Sequence, residues 1–328
     1  MNLYLDKANL LSILSISDTD FRSNCIKAMR SQLDVYFNFS KSDVSASEEL
    51  SSLFKVLTSG VESTRKGFLD NKIPDRPIND NLHEGMSFKK LVSMYLVEDS
   101  NATKVKNLGS VNLGEVGEEH ELFDRMFLLR RNFFFEKKLR IGTDFSRWGQ
   151  LSDYSFPLTD MLIIDSFILN DDSLIESNLL EIIEVFGARA KKCFNILIYT
   201  NSGNVSRSIN LENLKNRIKK KVSTLNGIVP NVSIITVRDQ RGIRSLAEHD
   251  RTILTNSYRI YSGDSFNYFD SNRNKITKGR EMSFSSFGDK DNYRLACLLI
   301  EDIQAAILSL DPRSIAGDKI SNIFKFPS

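Results

Sequence analysis

Short apolar runs alternate with amphipathic stretches between residues 160 and 237, and this alternation constrains the fold more than any other feature of the chain. The apolar runs cover 160–169, 194–199 and 232–237, and nearly continuous runs of this kind are typical of strands buried on both faces of a sheet. The stretches 174–187 and 211–225 place apolar residues three or four positions apart, as amphipathic helices do. Strands and helices that alternate in this order predict parallel strands joined by right-handed crossovers.

Two further strand-like segments follow at 249–255 and 258–262. They flank the dipeptide Asn256-Ser257, and because Asn is suited to a tight turn, the two segments predict a hairpin that completes the sheet. The apolar periodicity of 293–308 predicts a closing helix. We therefore expect residues 151–328 to form one α/β domain with a mixed sheet flanked by helices.

Residues 1–150 are predicted to form a separate, mixed α/β region, and no motif in them indicates a chemistry. The predicted elements are helices over 18–29, 45–57 and about 88–95 and a strand over 33–39, with polar loops over 69–80 and 101–119. Three consecutive phenylalanines at 133–135 lie among basic residues, a pattern that can bind single-stranded nucleic acid. Because Phe is mostly a core residue, we favour a buried helix or strand over 122–139.

The apolar runs and the cysteines indicate the compartment. No apolar run approaches the length of about 18 residues that a membrane span needs, and the amino end lacks the basic residues of a signal peptide. The three cysteines are far apart and form no CxxC pair, which argues against disulfides and a zinc site. The sequence therefore predicts a soluble, cytoplasmic protein without a metal or other cofactor, and it contains no GxxxxGK[ST], HExxH or GxSxG motif.

The charges are strongly segregated along the chain although the net charge is only +2. Residues 151–186 contain eight acidic residues and no basic one, whereas 187–280 contain 18 Lys or Arg residues against six acidic ones. The basic stretch includes Lys219, Lys220 and Lys221 on the predicted helix 211–225. This segregation indicates an anionic partner, with phosphate the commonest candidate, unless the fold interleaves the two kinds of charge on a solvated face.

The sequence from residue 248 to 269 carries the most specific chemical pattern. His249 and Arg251 are two residues apart, so on a strand both would project from the same face. Asn256 occupies the predicted turn, and Gly263 ends the return strand where a bulky side chain would block access. A guanidinium beside an imidazole on a rigid hairpin can bind a phosphate group, and the imidazole can act as a nucleophile or general acid.

This pattern resembles the phospholipase D superfamily, whose motif is His-x-Lys, four residues, Asp, six residues, then Gly-Ser-x-Asn. The spacing from His249 through Arg251 and Asn256 to Gly263 matches, with Arg in place of Lys and Asn in place of Asp. Ser265 and Asn267 resemble the Ser-x-Asn of the motif with one residue inserted. The resemblance implies a phospholipase-D-like mixed sheet flanked by helices.

A closer resemblance is to the phospholipase-D-like C-terminal domain of eukaryotic MIT-domain proteins, over residues 153–310. That domain carries His-Asp-Arg, an Asn near the turn, an Ile on the return strand and Gly-x-Gly-[Leu/Phe]-Asp-Tyr-Phe, which correspond here to 249–251, Asn256, Ile260 and 263–269. Such domains are regarded as non-catalytic, dimeric binders of anionic membrane lipid. The preceding MIT helical domain is not evident, so the biological role of those proteins does not transfer.

The sequence thus leaves three functions open. The first is recognition of a phosphodiester or phosphorylated ligand, nucleic acid before lipid, through His249, Arg251 and the surrounding basic segment. The candidate catalytic residues are His249, Arg251 and Asn256, and the candidate ligand-binding residues are Gly263, Ser265, Asn267 and Lys219–Lys221. The second is a metal-independent nuclease or phosphodiesterase, which needs His249 from two protomers because phospholipase D sites use two histidines. The third is a protein-interaction module with a vestigial site. A homodimer is expected in the first two cases.

Overall fold

The computed structural model describes residues 1–60, 63–69, 93–107, 110–127, 136–237, 251–318, 320 and 323–324. The protein is a mixed α/β protein, as the sequence predicts. It divides into two compact units, the first formed by Met1–Phe135, Ser286–Tyr293 and Phe324–Ser328 and the second by Glu136–Ser285 and Arg294–Ile323. Compared with the predicted division at residue 150, the second unit begins earlier and short C-terminal pieces belong to the first.

The first unit contains a five-stranded sheet in the order β3-β2-β1-β4-β5, and all its strand pairs are parallel. The strands are β1 (Asn2–Leu5), β2 (Asp34–Phe37), β3 (Lys66–Phe68), β4 (Ser93–Leu96) and β5 (Leu113–Gly114). The helices are α1 (Lys7–Ser15), α2 (Thr19–Ser31), α3 (Lys41–Ser45), α4 (Glu48–Thr58), α5 (Asp99–Asn107) and α6 (Glu119–Phe127). The strand order reverses between β1 and β4, so the loops that follow these two strands diverge at the carboxyl edge of the sheet.

The sequence predicts part of this unit correctly. Helices α2 and α4 and strand β2 are confirmed, and α4 buries Leu50, Leu53 and Leu57 as its periodicity requires. The helix predicted over 88–95 is wrong for its last residues, because Met94 and Tyr95 lie in strand β4, and 88–92 lie outside the described residues. The loop predicted over 101–119 contains most of α5 and all of β5. Residues 70–80 and 133–135 also lie outside the described part of the chain.

The second unit contains an eight-stranded mixed sheet in the order β13-β9-β8-β7-β10-β11-β12-β6. The strands are β6 (Glu136–Arg140), β7 (Leu158–Ile164), β8 (Ala190–Asn201), β9 (Asn231–Val237), β10 (Arg251–Leu254), β11 (Tyr258–Ser262), β12 (Glu281–Ser286) and β13 (Ile315–Gly317). The central strands β7, β8 and β9 are parallel, whereas β10 is antiparallel to β7 and forms a hairpin with β11. The predicted parallel pairs and hairpin are confirmed.

Helices cover this sheet, and their ends follow the expected sequence signals. They are α7 (Glu181–Gly187), which continues a short 3₁₀ turn and a π-helical turn, α8 (Leu211–Asn226) and α9 (Lys290–Ser309). The Asn210 side chain caps α8, and Gly227 ends it in the left-handed conformation with φ of 73°. All seven residues of β7 are buried, because helices and neighbouring strands cover both of its faces. Among the described residues, no helix is long and apolar enough to cross a membrane.

Candidate functional site

Strand β7 is followed directly by Asp165, whose side chain is fully buried. Its Oδ1 accepts a hydrogen bond from the backbone N–H of Phe167 (2.8 Å), and its Oδ2 accepts hydrogen bonds from Oγ of Ser265 (2.8 Å) and the backbone N–H of Phe266 (2.7 Å). Burial raises the pKa of Asp165 to about 6, although these hydrogen bonds and the charge of Arg251 act in the opposite direction. The carboxylate therefore joins the end of β7 to the turn after β11.

Arg251 is the first residue of β10 and lies at the same edge of the sheet. Its Nη1 donates a hydrogen bond to the carbonyl oxygen of Gly263 (3.1 Å), and its Cζ lies 5.7 Å from the ring centroid of Phe167. Its Nε is buried and has no hydrogen-bond partner in the described part of the chain. Because Nε is buried, a phosphate oxygen can reach this guanidinium only at its Nη groups, which carry more N–H donors than the one bonded to Gly263.

Two predicted ligand-binding residues lie next to Arg251. Gly263 accepts its hydrogen bond, and Ser265 donates to Asp165. A Cβ atom built on Gly263 would meet no other residue within 4 Å, and the backbone does not adopt a positive φ there. The described fold therefore does not itself require glycine at this position, which leaves room for a ligand to approach the backbone.

Asn267 lies on the other side of the same turn. Its Nδ2 donates hydrogen bonds to the carbonyl oxygen of Phe167 (2.8 Å) and to Oδ1 of Asn170 (2.9 Å). Its Oδ1 is buried without a partner among the described residues. The structure thus brings Arg251, Gly263, Ser265 and Asn267 together, as the motif spacing predicts.

An open cleft of about 410 Å³ begins at Gly263 and runs along β11 and β12. Lys278 and Arg280 line it, both side chains are exposed, and neither forms an ion pair within the described residues. The sequence analysis did not single them out, because nothing in the local pattern separates them from the other basic residues of 187–280. They supply positive charge beside the turn that holds Arg251.

Two acidic residues line the same cleft, but both have partners. The carboxylate of Asp264 accepts hydrogen bonds from Oγ1 of Thr277 (2.6 Å) and the backbone N–H groups of Gly279 (3.1 Å) and Ser265 (3.2 Å). The bond from Thr277 is the largest cause of a lowered pKa of Asp264. The carboxylate of Glu281 lies 3.5 Å from Nζ of Lys138. The negative charge of Asp264 remains, because its partners are neutral, whereas that of Glu281 faces Lys138. Lys278 and Arg280 have no ion-pair partner among the described residues.

Asn256 does not reach Arg251. Its Oδ1 accepts hydrogen bonds from the backbone N–H groups of Thr159 (2.8 Å) and Asp160 (3.1 Å), and its Nδ2 donates to Oγ1 of Thr159 (3.2 Å). Strand β10, about 10 Å long at roughly 3.3 Å per residue, lies between it and Arg251. The side chain is fully buried and supplies hydrogen bonds where the β7–β8 register shifts, between Leu158 and Asp160.

The lysines of α8 have acidic neighbours. Nζ of Lys219 lies 2.6 Å from Oδ2 of Asp318, and Nζ of Lys221 lies 2.7 Å from Oε2 of Glu184, whereas Lys220 is exposed. Nearby, Arg217 forms ion pairs with acidic residues of the 151–186 stretch, at 2.9 Å from Glu176 and 3.5 Å from Asp172. The fold therefore interleaves, on this surface, charges that are segregated in the sequence.

His249 lies outside the described residues, as does Asp250. Its role as nucleophile or general acid stays a prediction. It precedes Arg251 by two positions, and Arg251 is the first described residue after the 238–250 stretch.

A buried polar network, to which the sequence analysis assigned no role, occupies the carboxyl edge of the first unit's sheet. Asp6 follows β1 and is only 3% exposed. Its carboxylate accepts hydrogen bonds from Nδ2 of Asn38 (2.6 Å), the backbone N–H of Glu98 (2.8 Å) and Nδ2 of Asn101 (2.9 Å). It thereby ties together the segments that follow β1, β2 and β4.

A second carboxylate of the first unit, that of Glu119, accepts three hydrogen bonds. The donors are Nδ2 of Asn9 (3.0 Å), Oγ of Ser12 (3.0 Å) and the backbone N–H of Gly117 (2.9 Å), and Oδ1 of the buried Asn9 has no partner among the described residues. Open parallel sheets bind ligands at the carboxyl edge where the strand order reverses, so the edge beside β1 and β4 is a second candidate position. Only the sheet order indicates it, which is why the sequence alone missed it.

No cluster of three or more His, Cys, Asp or Glu side chains in the described residues could hold a metal ion. Comparison with known proteins adds no assignment: no family model matches the chain, and no curated protein shows significant similarity to it. The chemistry of the site is therefore inferred from its residues alone.

Proposed function

We propose that the second unit is a phospholipase-D-like domain that recognises a phosphodiester or phosphorylated ligand, nucleic acid before lipid. The ligand binds at the carboxyl end of β7, through Arg251 and the turn that begins at Gly263. Parallel central strands followed by a hairpin support this assignment, since the resemblance implies the same arrangement. A homodimer and a cytoplasmic location are part of the proposal and are motivated by the sequence.

The observation that carries the proposal is the state of the Arg251 guanidinium. One N–H is used to fix the group on Gly263, and the Phe167 ring lies beside it. Nε is buried and the residue as a whole is half-buried, so a ligand approaches the Nη end of the guanidinium. Such a guanidinium offers paired donors and a permanent charge, which match two oxygens of a phosphate group. Lys278 and Arg280 in the adjoining cleft add charge for a ligand with more than one phosphate.

Binding to labelled DNA, RNA and anionic phospholipid vesicles, all in EDTA, tests the proposal. We expect nucleic acid to bind, and Arg251→Ala to weaken binding by about tenfold or more, the scale of a lost charge-assisted hydrogen-bond pair. Arg251→Lys keeps the positive charge but loses the paired N–H donors of the guanidinium, so its affinity should lie between those of wild type and Arg251→Ala. The matched control is Arg313→Ala, which removes an exposed arginine beside the far edge strand β13. Equal affinities of wild type and Arg251→Ala would contradict the proposal.

The same incubation distinguishes binding from the second candidate, a phospholipase-D-type phosphodiesterase. If His249 is the nucleophile, cleavage should persist in EDTA, and His249→Ala should abolish turnover while Arg251 still holds the phosphate. If the wild type binds without cleaving, the domain is a binder. Failure to bind or cleave any phosphate-bearing probe would favour an interaction module with a vestigial site.

A further inference from the structure

Phe167 is the one aromatic side chain among the exposed large hydrophobic residues of the described part of the chain, with 37% of its surface exposed. Aromatic residues elsewhere in those segments are buried or half-buried, as Trp148 and Tyr268 are in the core of the same unit. Exposing a phenyl ring to water has a free-energy cost. An exposed ring beside a guanidinium that can still donate hydrogen bonds therefore indicates a place where a ligand binds.

The backbone around this ring is held on both sides. Asp165 accepts a hydrogen bond from the N–H of Phe167, and the carbonyl oxygen of Phe167 accepts one from Nδ2 of Asn267. The Arg251 guanidinium lies 5.7 Å from the ring centroid, within the range of a cation–π contact. The backbone that carries the ring is therefore held in place, and a flat ligand group stacks on the ring face that the Arg251 guanidinium does not cover.

A path for a phosphate chain leads away from the ring. The Arg251 guanidinium contacts Gly263, and from Gly263 the cleft continues past Lys278 and Arg280, with Asp264 and Glu281 also in its lining. The missing side chain at Gly263 leaves the backbone accessible at the point where this path turns, because a Cβ there would meet no atom within 4 Å. Aromatic platforms combined with a basic groove are the common means of binding single-stranded nucleic acid.

We infer that the ligand is a single-stranded nucleic acid, with one base stacked on Phe167 and the adjacent phosphate bound by Arg251. This inference rests on the proposed function, because it needs the phosphate site at Arg251. A base in a duplex is already stacked on its neighbours and cannot cover the ring. A membrane surface fits less well, since the basic residues line a concave cleft instead of a broad face around exposed apolar side chains.

The test compares three probes that share phosphates but differ in bases: oligo(dT), an abasic oligonucleotide of equal length, and inorganic polyphosphate. We expect Phe167→Leu, which keeps an apolar side chain but removes the aromatic face, to weaken oligo(dT) binding by about tenfold. Its affinity for the abasic strand and polyphosphate should be unchanged. Phe167→Trp should restore or strengthen binding to oligo(dT), because indole stacks well. Val229→Ala, which truncates an exposed apolar side chain outside the site, serves as the control.

The outcomes separate failure of the inference from failure of the proposed function. If polyphosphate and the abasic strand bind as tightly as oligo(dT) and Phe167→Leu has no effect, the phosphate site stands and base stacking is overturned. If no probe binds, both fail. Two further probes are a duplex of oligo(dT) with oligo(dA) and vesicles that contain phosphatidylserine. Tighter binding to the duplex than to oligo(dT) would also overturn the inference. Binding to the vesicles alone, if it depends on Phe167, would overturn it as well.

Discussion

At the scale of single residues, the buried carboxylate of Asp165 holds the candidate site together by hydrogen bonds within the protein. Asp165 accepts hydrogen bonds from both segments that frame Arg251. Because desolvation disfavours its charged form, the pKa of Asp165 rises from 3.8 to about 6 in the folded protein. Such a shift couples the protonation of this carboxyl group to the stability of the second unit.

The coupling has a definite sign. Between pH 4 and 6 the unfolded chain releases the proton of Asp165 while the folded protein retains it, so this group's contribution to stability falls as pH rises through that window. The total loss is about 3 kcal/mol. We therefore expect the free energy of unfolding of wild type, relative to Asp165→Asn, to decrease by roughly this amount from pH 4 to pH 7. The fluorescence of Trp148, the one tryptophan of the chain, reports unfolding of the unit in which it is buried.

A difference between wild type and Asp165→Asn that stays constant from pH 4 to pH 7 would show that Asp165 does not titrate on unfolding. Asp270→Asn is a suitable control, because that carboxylate accepts hydrogen bonds in the exposed turn 270–274 and its pKa is lowered by the Asn274 side chain. Its contribution should change in the opposite direction, increasing as pH rises.

The residues of the site were predictable to different degrees. The spacing of the motif located Arg251, Gly263, Ser265 and Asn267, since side chains and turns of a hairpin recur at fixed intervals along two paired strands. Asn256 kept its place in the motif, but its side chain turns to the backbone of β7, a contact between residues far apart in sequence. Long-range contacts of this kind leave no local pattern.

At the scale of elements, the central strands β7, β8 and β9 were predictable because they are long and apolar. The charged or short strands β6, β12 and β13 were not predicted, and in the first unit only β2 was. Strands β1 and β4 have four residues each and β5 has two, too few to distinguish a strand period from a helix period. Parallel pairing also joins segments that are distant in sequence. The sheet order, and with it the carboxyl edge beside Asp6, therefore became visible only in the structure.

The electrostatic attraction for a phosphate polymer can come from the lysines of α8 or from Lys278 and Arg280 in the cleft. The sequence assigns it to Lys219–Lys221 on α8, whereas Lys219 and Lys221 have acidic partners and the cleft bases have none in the described residues. We expect the double variant Lys278→Ala/Arg280→Ala to reduce the slope of log affinity against log salt by about 1.4 for a single strand. The variant Lys219→Ala/Lys221→Ala should change it little.

The comparison is matched, because both variants remove two positive charges and lower the net charge equally. Titrations of labelled oligo(dT) at several salt concentrations give the two slopes. If the α8 variant flattens the dependence and the cleft variant does not, the phosphate chain follows α8, and the assignment made from the sequence is the correct one.

The carboxyl edge of the first unit depends on Asp6. Asp6→Ala removes the acceptor of three hydrogen bonds, of which the one from Asn38 is buried and those from Glu98 and Asn101 are part-buried. Loss of the acceptor of a buried donor costs about 1–3 kcal/mol. We expect a loss of about this size and faster hydrogen exchange in β1, β2 and β4. Asp20→Ala removes an exposed carboxylate of the same unit and should leave that exchange unchanged. Unaltered exchange in Asp6→Ala would mean that other contacts hold the strand ends.

At the scale of the whole molecule, hydrolysis by two histidines requires two chains. The sequence offers a single His-x-Arg motif, and a two-histidine phosphodiesterase needs a second copy of His249 from another chain. We expect light scattering at micromolar concentration to give twice the chain mass of 37.4 kDa. In a symmetric dimer each protomer contributes the same surface, so both copies of His249 can meet at one site.

Mixing tests whether the two copies act together. If each site needs two histidines, an equimolar mixture of wild type and His249→Ala that has exchanged subunits keeps about one quarter of the wild-type activity, because only dimers with two intact chains are active. Independent sites would keep about one half. A monomer of 37.4 kDa that still cleaves would exclude the two-histidine mechanism. A monomer that binds without cleaving would mean that ligand binding at Arg251 and its cleft needs only one chain.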